Sequence, residues 1–164
     1  MEITILIFLF GGLFLGWSLG ANDAANVFGT AVGTRMVSFT SAAIVCSIFV
    51  ILGAIISGAG TTETLGKLGA INALPGAFAA CVAAGVSVYL MTKVGLPVST
   101  TQAIVGAIVG WNLYTGSSTN IQVLMTILAT WIICPIIAGI IAMGLFTFTK
   151  RVILNRKLHI LRLD

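Results

Sequence analysis

Apolar residues run along this chain in stretches long enough to cross a bilayer, separated by short polar interruptions rather than alternating with polar residues. A membrane-spanning helix needs about 20 predominantly apolar residues, and five stretches qualify. The first covers residues 3–32 and is interrupted near Gly20. The second covers residues 37–57. A Gly- and Thr-rich segment follows at 58–69, holds Glu63 and Lys67, and reads as a loop. The third covers 71–92. The fourth covers 96–114 and opens on a polar cluster. A short turn at 115–120 leads to the fifth, 121–149, which is long enough to tilt and carries Pro135, a residue that kinks helices. The pattern predicts an all-α membrane protein of about five membrane-embedded helices. The third and fourth stretches either cross twice or form one re-entrant hairpin entering from outside, with Pro97-Val98-Ser99-Thr100-Thr101 in its loop.

Composition strengthens this picture. Of the 164 residues, 59% are hydrophobic and 7% charged, and the mean hydropathy is +1.15. Soluble domains carry roughly 25% charged residues, so lipid is the solvent here. The net charge of +4 matters mainly through its placement. Lys150, Arg151, Arg156, Lys157 and Arg162 crowd the end of the sequence. This patch is too small, beside so much lipid-soluble chain, to suggest a nucleic-acid partner. It divides the sequence into a transmembrane repeat, 1–149, and a basic tail, 150–164, lying in the cytoplasm or along the inner membrane face.

Positive residues flanking a span mark the cytoplasmic side, which places the C-terminal end inside and, after an odd number of crossings, the N-terminus outside, in a multi-pass protein of the cell (inner) membrane. Arg35 and Lys93 then fall inside. Lys67 falls outside, with Glu63 four residues before it. An odd count also means that a second copy following this one would be inverted, and inverted repeats are a common construction for secondary transporters. Cys46, Cys81 and Cys134 lie in apolar runs without metal-ligand spacing and read as reduced, buried small hydrophobes. The first residues lack the basic start of a signal peptide and read as a mature first span.

Two polar constellations carry the candidate chemistry. The first is Gly20-Ala21-Asn22-Asp23-Ala24-Ala25-Asn26. Asp23 is the only acid between Glu2 and Glu63. At mid-membrane depth a carboxylate costs several kcal/mol unless paired or hydrated. Asn22 and Asn26, four apart, share a helix face. An unbroken helix over this stretch would be roughly 48 Å long at about 1.5 Å per residue, beyond a hydrocarbon core of about 30 Å. A break at residues 20–23, after the weakening Gly16 and Gly20, would resolve the excess. The plainer reading is that Asn22 caps a helix starting at the membrane surface.

The second constellation is Pro97-Val98-Ser99-Thr100-Thr101-Gln102. Pro97 stops what precedes it, and Ser99-x-x-Gln102 fits a capping box. A helix should therefore start near Thr100 and run to about Tyr114. Its first N–H groups form a ready anion site, and the hydroxyls beside them can donate to oxyanions or coordinate a cation. An ordinary capped helix start would look the same. Both clusters open helices with a small-xxx-small face, Gly29 and Gly33 after the first and Gly106 and Gly110 after the second. Such faces permit close packing in lipid. Lys93 and Arg35 read as interface anchors, and Trp17, Trp111 and Trp131 as packing or interface residues. There is no nucleophile–base pair, soluble-enzyme phosphate loop or metal cluster, so an enzyme and a cofactor are not expected.

At these two motifs, Gly20-Ala-Asn-Asp-Ala-Ala-Asn26 and Gly95-Leu-Pro-Val-Ser-Thr-Thr-Gln-Ala-Ile-Val-Gly106, the sequence resembles the inorganic phosphate transporter (PiT) family. The resemblance implies a symporter that couples phosphate to Na⁺ or H⁺ by alternating access between two inverted repeats. It assigns Asn22, Asp23, Ser99, Thr100, Thr101 and Gln102 to phosphate, and Asn22, Asp23, Asn26, Thr100 and Thr101 to the cation, with Na⁺ at Asp23 and Asn26. Many members have His where this chain has Gln102, which favours Na⁺ over H⁺. Only one copy of each motif is present, so the chain is expected to be either the N-terminal repeat of a longer protein or a free-standing half that assembles with an inverted partner. A second inverted repeat, in the same longer chain or in a partner subunit, is expected, as is a homo-oligomer of the complete transporter. Asp23 would repel phosphate in low dielectric, so the pairing makes sense only with a cation present or with Asp23 protonated. Alternatives are a transporter or channel for another oxyanion such as sulfate, or a non-transporting membrane scaffold subunit.

Overall fold

A computed structural model describes residues 2–69 and 74–151. The described residues form five helices: α1 (Glu2–Gly33), α2 (Phe39–Leu68), α3 (Leu74–Lys93), α4 (Thr100–Thr115) and α5 (Ile121–Thr149). The protein is a multi-pass membrane protein, with four of these helices long and apolar enough to cross a bilayer. The exception is α4, whose 16 residues reach roughly 24 Å. The chain divides into two compact units, Met1–Ile121 and Gln122–Asp164. In the second unit α5 continues through Pro135 without interruption, and none of its residues is buried. Most of the expected tail, 152–164, lies outside the described residues.

In the first unit α1 and α3 pack side by side and run parallel. Phe8 meets Phe78, Trp17 meets Tyr89, and Asn22 bonds Thr92, so contacts advance together along both helices. The approach is closest at Gly85, where a methyl group would lie 2.7 Å from the Phe14 ring. α4 returns antiparallel along α3, bringing Trp111 against Gly76. Val88, Val105, Ile108, Ala80 and Ala84 fill the small core between them. α2 buries only Ala42 and Leu68 and presents Phe49, Ile55 and Ile56 outward, as a lipid-facing helix does. The end of the unit away from the α3–α4 loop is latched by polar groups. Asn112, fully buried, donates to Thr119 at 3.0 Å, and the Asn120 N–H donates to the Leu68 carbonyl at 2.9 Å.

Two expectations are corrected. α1 is one continuous helix through Gly20–Asp23, neither broken nor capped there by Asn22. Two glycines cost only about 1 kcal/mol each in a helix. Unwinding would free backbone groups that lipid cannot satisfy, while the polar side chains find partners on α3 and α4 without it. The excess length is taken up by tilt or by extension beyond the hydrocarbon. The segment 58–69 is not a loop: α2 continues through Leu68, with Lys67 paired to Glu63 one turn earlier. Thr62 and Thr64 turn their hydroxyls back onto the carbonyls of Gly58 and Gly60, so these polar residues remain compatible with the helix. The cysteines are free as expected, but none is fully buried, and Cys134 is exposed.

Gly85→Val should destabilise the first unit by about 1–3 kcal/mol through overpacking against α1. Gly12→Ala, where nothing lies within 4 Å of the added carbon, should leave stability unchanged or slightly raised. Thermal unfolding in detergent separates the two, and equal melting temperatures for both variants would contradict the α1–α3 packing.

Candidate functional site

The two constellations meet where α3 stops and α4 begins, against the middle of α1. α3 ends in a Schellman turn: the Leu96 N–H donates to Met91 O at 2.9 Å and the Gly95 N–H to Thr92 O at 3.0 Å. Gly95 sits there at φ 76, where a side chain would be strained. Pro97 follows, and Ser99 takes the extended conformation of an N-cap. Its hydroxyl accepts the Gln102 N–H at 3.3 Å, so α4 starts at Thr100 as the capping pattern predicts.

Asn22 ties these parts together. It is 5% exposed. Its Nδ2 donates to Thr92 Oγ1 at 2.9 Å, and its Oδ1 accepts from Asn26 Nδ2 at 3.2 Å and from the Val98 N–H at 3.4 Å. One amide thus joins α1, the end of α3 and the loop before α4. Next to it, the Thr100 hydroxyl donates to Asp23, at 3.2 Å from Oδ2 and 3.4 Å from Oδ1. The carboxylate therefore stands at the first turn of α4, where the helix carries partial positive charge.

A cleft of about 600 Å³ opens beside this pair. Asp23 and Asn26 line it from α1, Ser87, Val88 and Met91 from α3, and residues 97–103 from the loop and α4. Of the residues singled out from sequence, Asp23, Asn26, Ser99, Thr100, Thr101 and Gln102 come together in one wall. Asn22 lies behind it, engaged with the protein itself. Thr92 and Ser87 were not anticipated. The only signal for either was a hydroxyl within an apolar stretch, and such hydroxyls commonly bond back to their own helix, as both do here, to Val88 O at 2.8 Å and Ala83 O at 2.9 Å. Lys93 does not reach the cleft and lies over the Tyr89 ring, 5.5 Å from its centre. Trp17 packs between Phe14 and Tyr89 on that same side of the α1–α3 seam.

A helix N-terminus, a row of hydroxyls and one carboxylate offer donors to an anion and oxygen ligands to a cation in the same cleft. Fold and site together define a polytopic membrane protein with a polar site built between its helices. The chain belongs to the phosphate transporter family, whose model matches residues 19–163. A protein of Thermococcus kodakarensis named as a phosphate permease is 35% identical, over 96% of this chain and 41% of its own length. A sodium-dependent phosphate transporter of Plasmodium falciparum is 34% identical, over 88% of this chain and 23% of its own. A solved structure titled as the sodium-dependent phosphate transporter superimposes with a TM-score of 0.80 and 28% identity, over 96% of this chain and 41% of that one. The chain thus spans about two fifths of the length of the archaeal relative and of the solved structure.

Asn22→Ala removes three hydrogen bonds and strands the part-buried Val98 N–H, so it should destabilise the cluster by about 1–3 kcal/mol. Asn26→Ala removes one bond from an exposed side chain and should cost less than about 1 kcal/mol. Chemical unfolding in detergent would show the order, and a larger loss at Asn26 would refute the assignment of Asn22 as the tie.

Proposed function

We propose that this chain forms one half of a secondary transporter that carries inorganic phosphate with a cation, Na⁺ in preference to H⁺, by alternating access against a second, inverted repeat. The observation that carries this reading is the placement of Asp23 against the first turn of α4 in one cleft. Helix N–H groups and the hydroxyls of Ser99, Thr100 and Thr101 suit phosphate oxygens. The carboxylate of Asp23 and the amide of Asn26 suit a cation. Phosphate beside a bare carboxylate is costly at low dielectric. A cation between them removes the repulsion and couples the two movements, and Asn22 keeps the frame in register.

Sodium is supported by the names of the Plasmodium relative and of the solved structure. It is supported too by Gln102, which offers no titratable group for carrying a proton. The length of the relatives supports a missing second half. The basic residues after α5 support a cytoplasmic C-terminal end and an outer N-terminus.

Phosphate uptake into vesicles holding the complete assembly should follow an imposed Na⁺ gradient. Asp23→Asn should reduce it by about tenfold or more, the weight of a charge-assisted contact, without loss of assembly. Sulfate uptake in place of phosphate, indifference to both Na⁺ and H⁺ gradients, or full activity in Asp23→Asn would each refute the reading.

A further inference from the structure

Lys93 stands at an unexpected depth. Its neighbour Thr92 bonds Asn22, so the last residues of α3 lie level with the middle of the site. α1 then continues from Asn22 to Gly33, eleven residues or about 16 Å, before the turn to α2. The α3–α4 hairpin therefore stops well short of the level that α1 and the α1–α2 turn reach, where the apolar run of α2 begins. A lysine ammonium on a four-carbon stem cannot cover that distance by snorkelling. The flanking α2 offers no charge at this depth, since none occurs between Arg35 and Glu63. Lys93 has no carboxylate partner among the described residues, where the ion pair is Lys67 with Glu63. It rests instead on the face of Tyr89. Val94 and Leu96 beside it are 73% and 51% exposed. An unpaired ammonium in hydrocarbon costs several kcal/mol. In water it costs nothing and concentrates anions around it.

We propose that the tip of the α3–α4 hairpin faces an aqueous vestibule open to the side of the α1–α2 turn, and that Lys93 there draws small anions toward the cleft. The site is then wetted from the side of that turn. Lys93 is a steering residue rather than a ligand. It lies on the opposite side of α3 from Ser87 and Met91, which line the cleft. The inference goes beyond the transport reading because it holds for any small anion and its test requires no turnover.

The test uses the full chain in sealed vesicles, with Cys46, Cys81 and Cys134 replaced by alanine. Val94→Cys is the reporter, and Met36→Cys, at a position 81% exposed in the α1–α2 turn, marks the sidedness. Two membrane-impermeant thiol reagents are compared, one anionic and one cationic. The reporter thiol should be labelled from the same side as the marker thiol. The anionic reagent should be favoured over the cationic one more strongly in Val94→Cys alone than in Val94→Cys combined with Lys93→Gln, by about threefold for each reagent charge at roughly 7 Å in water. No labelling of the reporter, or labelling from the opposite side, would overturn the vestibule. Labelling with a rate ratio indifferent to Lys93→Gln would overturn the role of Lys93. If both results hold while the assembly fails to carry phosphate, the transport reading falls and the vestibule stands.

Discussion

Lipid supplies no hydrogen bonds, so every polar group below the headgroups must be answered by protein or by a wetted cavity. The organisation of this unit follows from how that requirement is met at Asn22. Its carbonyl oxygen accepts the Val98 N–H, a backbone donor in a stretch that is neither helix nor strand. On either side, the Schellman turn satisfies the N–H groups of Gly95 and Leu96, Pro97 has none to satisfy, and Ser99 caps the next helix. Irregular backbone is thereby made tolerable at a depth where it is otherwise forbidden. With the loop fixed, the axis of α4 is fixed, and its first turn stands at Asp23.

The same constraint explains why α1 remains helical through its polar segment. Three polar residues in five suggest unwinding when the sequence is read alone, because an isolated span has no other means of satisfying them. Here Asn22 reaches Thr92, Asp23 reaches Thr100, and Asn26 reaches Asn22 along the same helix. These partners lie as much as 77 positions away in the chain, and no local pattern records them.

What was legible in the sequence was what local chemistry determines. Ser99, Gln102 and Pro97 set the start of α4, and apolar runs set the bounds of α5. The glycine- and threonine-rich end of α2 was misread because threonine hydroxyls can turn onto their own helix and Lys67 can pair with Glu63, both of which suit a helix as well as a loop. In the site, the cleft-facing residues of both motifs were identifiable as polar intrusions into apolar stretches. The division of labour among them was not. Asn22 and Asn26 look equivalent at four-residue spacing, yet one is buried as a tie and the other exposed at the cleft. That difference depends on where α3 ends, which is a tertiary fact.

The electrostatics of the cleft bear on why one repeat would be insufficient. Asp23 is supported on one side by the Thr100 hydroxyl and by the positive end of α4. Both are fixed dipoles, and fixed dipoles soften the burial of a charge without neutralising it. Phosphate brought to the same helix end would compete with Asp23 for those donors, so this wall alone stabilises either anion at the expense of the other. A bound cation removes the competition, but it needs ligands from more than one direction, and Asp23, Asn26 and the α4 hydroxyls all approach from this wall. A second, inverted repeat would bring an equivalent helix end and further oxygen ligands from the facing side. Each anion would then have its own donors, with the cation held between them. On the proposed reading coupling would belong to the pair of repeats, because a single helix N-terminus cannot serve two negative charges at once.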